Sequence, residues 1–145
     1  MAKIVAAGAG MLIYLVSAYP ARAATCSISP QGPNFGSYDT LSPTAVESVG
    51  NISVTCDATT SFTIALDTGS GSFVQRTMAG NAMPLRYNLY IDATRLIVWG
   101  DGSGSTGTVS STATSGNFAV YGRIPAGQNV TAGSYSDTIF VTISY

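Results

Sequence analysis

Along the thirteen residues from Gly133 to Tyr145, mostly apolar or aromatic side chains alternate with mostly polar ones. This alternation constrains the fold more than any other feature of the chain. A period of two is typical of a half-buried β-strand, because successive side chains of a strand point to opposite faces. The side expected to face a core carries Tyr135, Ile139, Val141, Ile143 and Tyr145. We therefore predict a terminal strand, and the open question is what lies beside it.

Short segments of the same kind occur along the rest of the chain, separated by turn signals rich in Gly, Pro, Ser and Asp. The predicted strands cover residues 27–29, 46–56, 62–66, 73–78, 85–91 and 118–124. Residues 96–99 are predicted to return beside 85–91 as a hairpin, and residues 110–116 are polar and are not assigned to a strand. No stretch beyond position 23 has the period of about 3.6 residues typical of an amphipathic helix. The pattern predicts an all-β fold, an immunoglobulin-like β-sandwich.

The beginning of the chain is typical of a secretory signal peptide. A single lysine precedes an apolar run from Ile4 to Val16, and the small-residue pattern Ala21-Arg22-Ala23 follows. The run is shorter than the roughly 20 residues that a membrane-spanning helix needs. We predict export, with residues 1–23 as the signal peptide and 24–145 as one domain. On this prediction the chain meets a membrane only through its signal peptide.

The charge pattern disfavours nucleic acid as a partner and the composition disfavours catalysis. Beyond position 23, four arginines, no lysine and seven acidic residues give a net charge of −3. The charged fraction of the whole chain is 9%, well below the roughly 25% of ordinary soluble domains, which suits either a packed assembly or a small secreted β-protein. The chain contains no His, so Ser-His-Asp and Cys-His catalytic sites are excluded. We predict no catalytic residue, no metal site, no cofactor and no enzymatic activity.

Two cysteines, Cys26 and Cys56, lie in the part of the chain predicted to be exported, where an oxidising compartment allows them to pair. A reactive thiol or a metal pair would need His or further Cys as companions. If Cys56 points into the core, Cys26 must lie on a facing or neighbouring strand. We predict a structural disulfide, which would stabilise a loop of this length by roughly 3.5 kcal/mol.

Six blocks of sequence occur in the order found in a known family. They are FGSYD at 35–39, NISVTC at 51–56, LRYNLY at 85–90, WGDG at 99–102, VYGRIPAGQ at 120–128 and GSYSD at 133–137. Together they resemble the spore coat protein U domain over residues 25–145. This family includes subunits of archaic, Csu-like chaperone-usher pili.

The resemblance implies an incomplete sandwich that lacks its last strand and is completed by a donor strand from a partner. It implies as partners a periplasmic chaperone, an outer-membrane usher and neighbouring pilus subunits, with transit through the periplasm to the cell surface or pilus. The family's intradomain disulfide maps onto Cys26 and Cys56. The groove that binds the chaperone or donor strand maps onto Tyr135, Ile139, Val141, Ile143 and Tyr145, with the Tyr145 carboxylate as the chaperone-anchored end.

The segment before the first cysteine departs from the usual subunit. A donor strand needs about ten or more alternating residues, whereas cleavage after Ala23 leaves only Ala24 and Thr25. A cut after Ala18 would add a stretch that contains Pro20, which suits a strand poorly. We therefore expect a tip-like subunit that accepts a strand but does not donate one. The alternative is a non-fibrous coat protein of the spore or cell surface with the same fold.

Several apolar residues fall in segments that are rich in turn signals. These residues could form an exposed surface for adhesion and biofilm formation, or they could belong to a core strand. The sequence does not decide between the two. These residues are Phe73, Val74, Met78, Met83 and Pro84.

Overall fold

The computed structural model describes residues 22–145, and this part of the chain contains six β-strands and no helix. The strands are β1 (Cys26–Gln31), β2 (Val46–Leu66), β3 (Arg76–Met78), β4 (Leu85–Tyr90), β5 (Val109–Ile124) and β6 (Val141–Ser144). The predicted all-β fold is confirmed. The predicted signal peptide lies outside the described residues except for its last two.

Between residues 22 and 145, no helix is long and apolar enough to cross a membrane.

The strands form one curled, antiparallel sheet in the order β1-β2-β5-β4-β3, and β6 also pairs with β2. Both β1 and β6 lie on the edge of β2 that faces away from β5, because β5 pairs with both halves of β2. Beyond β3, Ala79 and Ser136 exchange two backbone hydrogen bonds of 2.8 and 3.0 Å. The terminal segment therefore runs from the β3 edge of the sheet to the β2 edge, and it folds the two edges toward each other.

Two segments predicted to be separate strands, 46–56 and 62–66, are one strand with a register irregularity between Thr55 and Thr60. Residues 110–116, which are polar and were not assigned to a strand from the sequence, lie in β5. Their hydroxyl groups pair across the sheet, with Ser61 Oγ 2.8 Å from Thr112 Oγ1 and Thr63 Oγ1 2.9 Å from Ser110 Oγ. Such cross-strand pairs stabilise a polar strand face without any apolar residue.

The predicted hairpin of 85–91 with 96–99 is reduced to an isolated bridge between Tyr90 and Val98. The Asp92 carboxylate accepts hydrogen bonds from the backbone N–H groups of Leu96 (3.2 Å) and Ile97 (2.9 Å). These bonds form a compact turn that replaces the rungs of a regular ladder. The terminal strand is likewise shorter than predicted, since regular pairing begins only at Val141.

Among residues 22–145, the core contains one buried cation. The Arg76 side chain is fully buried, and its guanidinium donates hydrogen bonds to the carbonyls of Asp67 and Trp99 and to Asn88 Oδ1, at 2.6 to 3.1 Å. Burial lowers the pKa of Arg76 from its ordinary value, but a guanidinium remains protonated in proteins. The cation thus links the end of β2 to β4 through hydrogen bonds that offset its desolvation.

Candidate functional site

The cysteines are directly opposite each other in the pairing of β1 with β2, and they form the predicted disulfide. The bond joins the first residue of the edge strand β1 to the middle of β2, across a sequence separation of 30. Neither cysteine lines the cleft described next. The disulfide therefore has a structural position, away from the candidate site.

A cleft of about 1030 Å³ opens between two segments of the chain. One wall is the segment 30–40, which comprises the end of β1 and the residues after it, and the other is the segment 130–141, which ends at the first residue of β6. The floor consists of apolar side chains and one tyrosine from the central strands, none more than 5% exposed: Ile52, Leu66, Tyr87, Leu89, Val120 and Ile124. These floor side chains are already buried when the chain is alone. The apolar surface that a partner could still contact therefore belongs to the two walls.

The first wall crosses over β2 and β5 at two glycines. A Cβ at Gly50 would lie 2.7 Å from the backbone nitrogen of Pro33, and one at Gly122 would lie 2.5 Å from the Phe35 ring. Tyr38 anchors the far end of this wall, since its hydroxyl donates to the Pro125 carbonyl at 2.8 Å. The sequence analysis assigned no site role to this segment, although glycines inside a strand often mark a close approach of another backbone.

The second wall contains three of the five residues predicted for a partner-binding groove. Tyr135, Ile139 and Val141 are half-buried and line the cleft. Ile143 packs against the core beyond the end of the cleft, and Tyr145 is 56% exposed and not part of the lining. Of the five predicted groove residues, only the first three along the chain therefore line the cleft.

The backbone of the second wall presents an edge to the cleft. Ser136 directs its N–H and C=O to Ala79, and the Phe140 carbonyl accepts from the Asp67 N–H at 3.1 Å. Hydrogen-bonding groups alternate in direction along an extended chain. The N–H and C=O groups of Asp137, Ile139 and Val141 consequently point the other way, toward the cleft.

One polar side chain interrupts the apolar row of the second wall. Asp137 Oδ2 accepts a 2.6 Å hydrogen bond from the Tyr87 hydroxyl, and Asp137 Oδ1 accepts bonds from the backbone N–H and the hydroxyl of Ser70. Burial, and next this hydrogen bond, raise the pKa of Tyr87 far above its ordinary value, so its hydroxyl stays protonated. The sequence analysis missed Asp137 because it selected apolar residues, although Asp137 has the same parity as Tyr135 and Ile139.

The apolar residues that the sequence left open between adhesion and core have different environments. Met78 lies in β3 and packs against the core, whereas Val74 is 92% and Met83 55% exposed. The Phe73 ring lies 5.5 Å from the Arg76 guanidinium. They therefore do not share a single core strand.

Within residues 22–145, no group of three or more Cys, Asp or Glu side chains is placed to hold a metal ion.

The fold resembles a solved structure from an archaic pilus system. That structure is the pre-assembly complex of a chaperone and the tip adhesion subunit from the Csu pili of Acinetobacter baumannii. The TM-score is 0.60 at 23% sequence identity, over 84% of this chain. This chain spans only 40% of the length of the solved chain. The likeness concerns the fold.

Sequence comparison identifies the family. The chain is 35% identical over 129 residues to Protein U of Myxococcus xanthus, with 77% of this chain and 70% of that protein covered. The model of the Spore Coat Protein U domain matches residues 12–142. On these matches, the chain belongs to the Spore Coat Protein U domain family.

Proposed function

We propose that this protein is a secreted structural subunit of an archaic chaperone-usher pilus, and that its cleft accepts an extended segment of a partner protein. The observation that carries the proposal is the second wall of the cleft. There, the apolar side chains of Tyr135, Ile139 and Val141 line the same cleft toward which the backbone groups of Asp137, Ile139 and Val141 point.

An added strand is the occupant that suits such a wall. In β-strand addition, backbone hydrogen bonds supply affinity and alternate side chains of the new strand fill pockets. The first wall, with Phe35 and Tyr38, would border the added strand on its other side. The expected occupant is therefore an extended segment with apolar residues at every second position.

The partners follow from this mode of binding. A periplasmic chaperone would occupy the cleft during transit, an outer-membrane usher would export the subunit, and the donor segment of a neighbouring pilus subunit would replace the chaperone. The solved structural neighbour, a complex of a chaperone with a tip adhesion subunit, supports a chaperone as a partner of this fold. The protein would then end at the cell surface, in a fibre that contributes to adhesion and biofilm formation.

Thermal denaturation tests the proposal. The probe is a synthetic peptide that copies the segment before the first cysteine of a subunit encoded in the same gene cluster. At a peptide concentration about 100-fold above Kd, linkage adds about 2.7 kcal/mol, which raises the Tm of a domain of this size by about 10 °C or more. The control peptide carries Asp at the alternate apolar positions and should give no shift. Absence of a shift with the first peptide would contradict strand acceptance.

The tip-like position is the finer part of the proposal. A subunit that accepts a strand without donating one has fewer than about ten residues before its first cysteine. Mass spectrometry of the exported protein measures this length directly. Ten or more residues before Cys26 in the mature protein would overturn the tip-like role and leave strand acceptance intact.

The second candidate function is a non-fibrous coat protein of the spore or cell surface. It is favoured by the description of the family and by the 35% identity to Protein U of Myxococcus xanthus. Immunogold electron microscopy distinguishes the two, because a pilus subunit labels thin fibres and a coat protein labels the surface layer. Neighbouring genes for a chaperone and an usher would favour the pilus.

A further inference from the structure

Tyr87 crosses the floor of the cleft and contacts both of its walls. Its ring meets the ring of Phe35 in the first wall edge to face, with centroids 6.1 Å apart. Its hydroxyl donates to Asp137 Oδ2 in the second wall at 2.6 Å. The side chain is only 5% exposed, so the tightly packed floor holds it in place. Tyr87 is thus a rigid link between the two segments that border the cleft.

Two aspartates tie the second wall to the turn that follows β2. Asp137 Oδ1 accepts bonds from the N–H and the hydroxyl of Ser70, at 3.1 and 2.8 Å. In the reverse direction, Asp67 Oδ1 accepts a 3.0 Å bond from the Phe140 N–H. A Cβ at Gly69 would collide with the Asp137 carboxylate, so only glycine allows this approach. The bonds lie where the terminal segment passes from β3 to β2.

We propose that Tyr87 and Asp137 are positioning residues that hold the second wall at the separation required by one added strand. The inference rests on the proposed function of the cleft. Neighbouring strands lie about 4.8 Å apart, so the two walls must stand about 9.6 Å apart to receive one strand between them. Apolar contacts alone are not directional and would allow the wall to move.

A hydrogen bond to a carboxylate restricts the wall more strongly than apolar contacts, because it is short, directional and charge-assisted. Asp137 accepts three such bonds from groups outside its own segment. Fixing the wall before the partner arrives lowers the ordering cost of binding, which is the general advantage of a preorganised site. The link should therefore act on the rate of strand association more than on the stability of the finished complex.

The test uses the full exported chain and the donor-segment peptide described above. The variants are Tyr87→Phe, which keeps the ring and removes the hydroxyl, and Asp137→Asn, which keeps the shape and removes the charge. Matched controls are Tyr90→Phe on the same strand and Asp101→Asn in a distant loop, both outside the cleft lining. Loss of one charge-assisted hydrogen bond should lower the association rate constant of Tyr87→Phe about tenfold. The dissociation rate should stay within about twofold of wild type, since the finished strand pairs hold the wall by themselves.

A purely structural role predicts a different result. In that case Tyr87→Phe would lower the Tm of the free chain while its association rate constant equals that of wild type, and the inference would be overturned. Hydrogen exchange of the free chain gives an independent readout that needs no peptide. The amide of Phe140, which donates to Asp67 Oδ1 in the free chain, should exchange faster in Tyr87→Phe than in wild type, with residues 46–56 unchanged. Equal exchange at Phe140 would refute the inference, whereas failure of wild type to bind peptide would refute only the proposed function.

Discussion

The edge of β2 that faces away from β5 is held in two different ways along its length. Its first half pairs with β1 over six consecutive residues and is closed by the disulfide between Cys26 and Cys56. Its second half pairs with β6 over only four residues, and the segment before β6 is held by hydrogen bonds that the carboxylates of Asp67 and Asp137 accept. The disulfide fixes β1 to the first half of β2 covalently. The segment before β6, by contrast, has backbone groups that face the cleft. Changes near the disulfide should therefore affect the stability of the free chain, and changes at the cleft should affect partner binding.

The largest effect is expected from breaking the covalent lock. Replacing both Cys26 and Cys56 by Ala should lower the free energy of unfolding by about 3.5 kcal/mol, because the unfolded chain regains the freedom of a loop of 30 residues. Urea denaturation of the variant and of wild type measures the difference. The peptide affinity of the folded variant should remain that of wild type, and a large loss of affinity would contradict the separation of the two regions.

The next largest effect is expected at the crossing of the first wall over β2. Gly50→Ala places a Cβ against the backbone of Gln31 and Pro33 and should cost about 1–3 kcal/mol, as other overpacked sites do. The matched control is Gly32→Ala in the same wall, where a Cβ meets nothing within 4 Å. The control should unfold at the temperature of wild type or slightly above it. Equal destabilisation of the two variants in a thermal scan would contradict the close approach at Gly50.

A change in the second wall should separate stability from binding. Ile139→Ser should lower the free energy of unfolding of the free chain by only about 1 kcal/mol, because the side chain is half-buried. It should weaken peptide binding about tenfold or more, because an apolar pocket wall is lost. Isothermal titration calorimetry measures the affinity. Phe140→Ser is the control, since Phe140 points to the opposite face and is 71% exposed; a similar loss in this control would contradict the assignment of faces.

The smallest effect is expected at the ion pairs that Glu47 in β2 makes with Arg123 in β5 and with Arg95 in the turn after β4. Glu47 lies 2.7 Å from Arg123 and 3.1 Å from Arg95. Glu47→Gln should lower the free energy of unfolding by about 0.2–1 kcal/mol, and the difference should shrink at high salt. Denaturation in low and high NaCl checks this, and a loss that salt does not reduce would contradict an electrostatic origin.

The sequence predicted the features that depend on local periodicity. The alternation of residues 133–145 placed Tyr135, Ile139 and Val141 on one side, and all three line the cleft, but it missed Asp137 and included Tyr145, which is 56% exposed. It did not reveal that the segment changes partners from β3 to β2, because that change depends on the turn at residues 67–70, which is distant in sequence. The cysteine pair was predictable because few alternatives exist for two cysteines in a chain without His.

Other errors came from treating polarity as a sign of irregular structure. Residues 110–116 are polar and were not assigned to a strand, yet hydroxyl pairs between β2 and β5 stabilise them as a strand. The first wall was missed because its contacts with Gly122 and Tyr87 are long-range and have no local period. The central glycines at 50 and 122 were the available signal.

Residue-resolved hydrogen exchange of the free chain and its peptide complex tests the central claim most directly. If an added strand pairs with the second wall, the amides of Asp137, Ile139 and Val141 should become protected on binding. The amide of Ser136, which already donates to Ala79, should change little. Protection that appears elsewhere, or that fails to alternate along residues 136–141, would contradict strand addition at this edge.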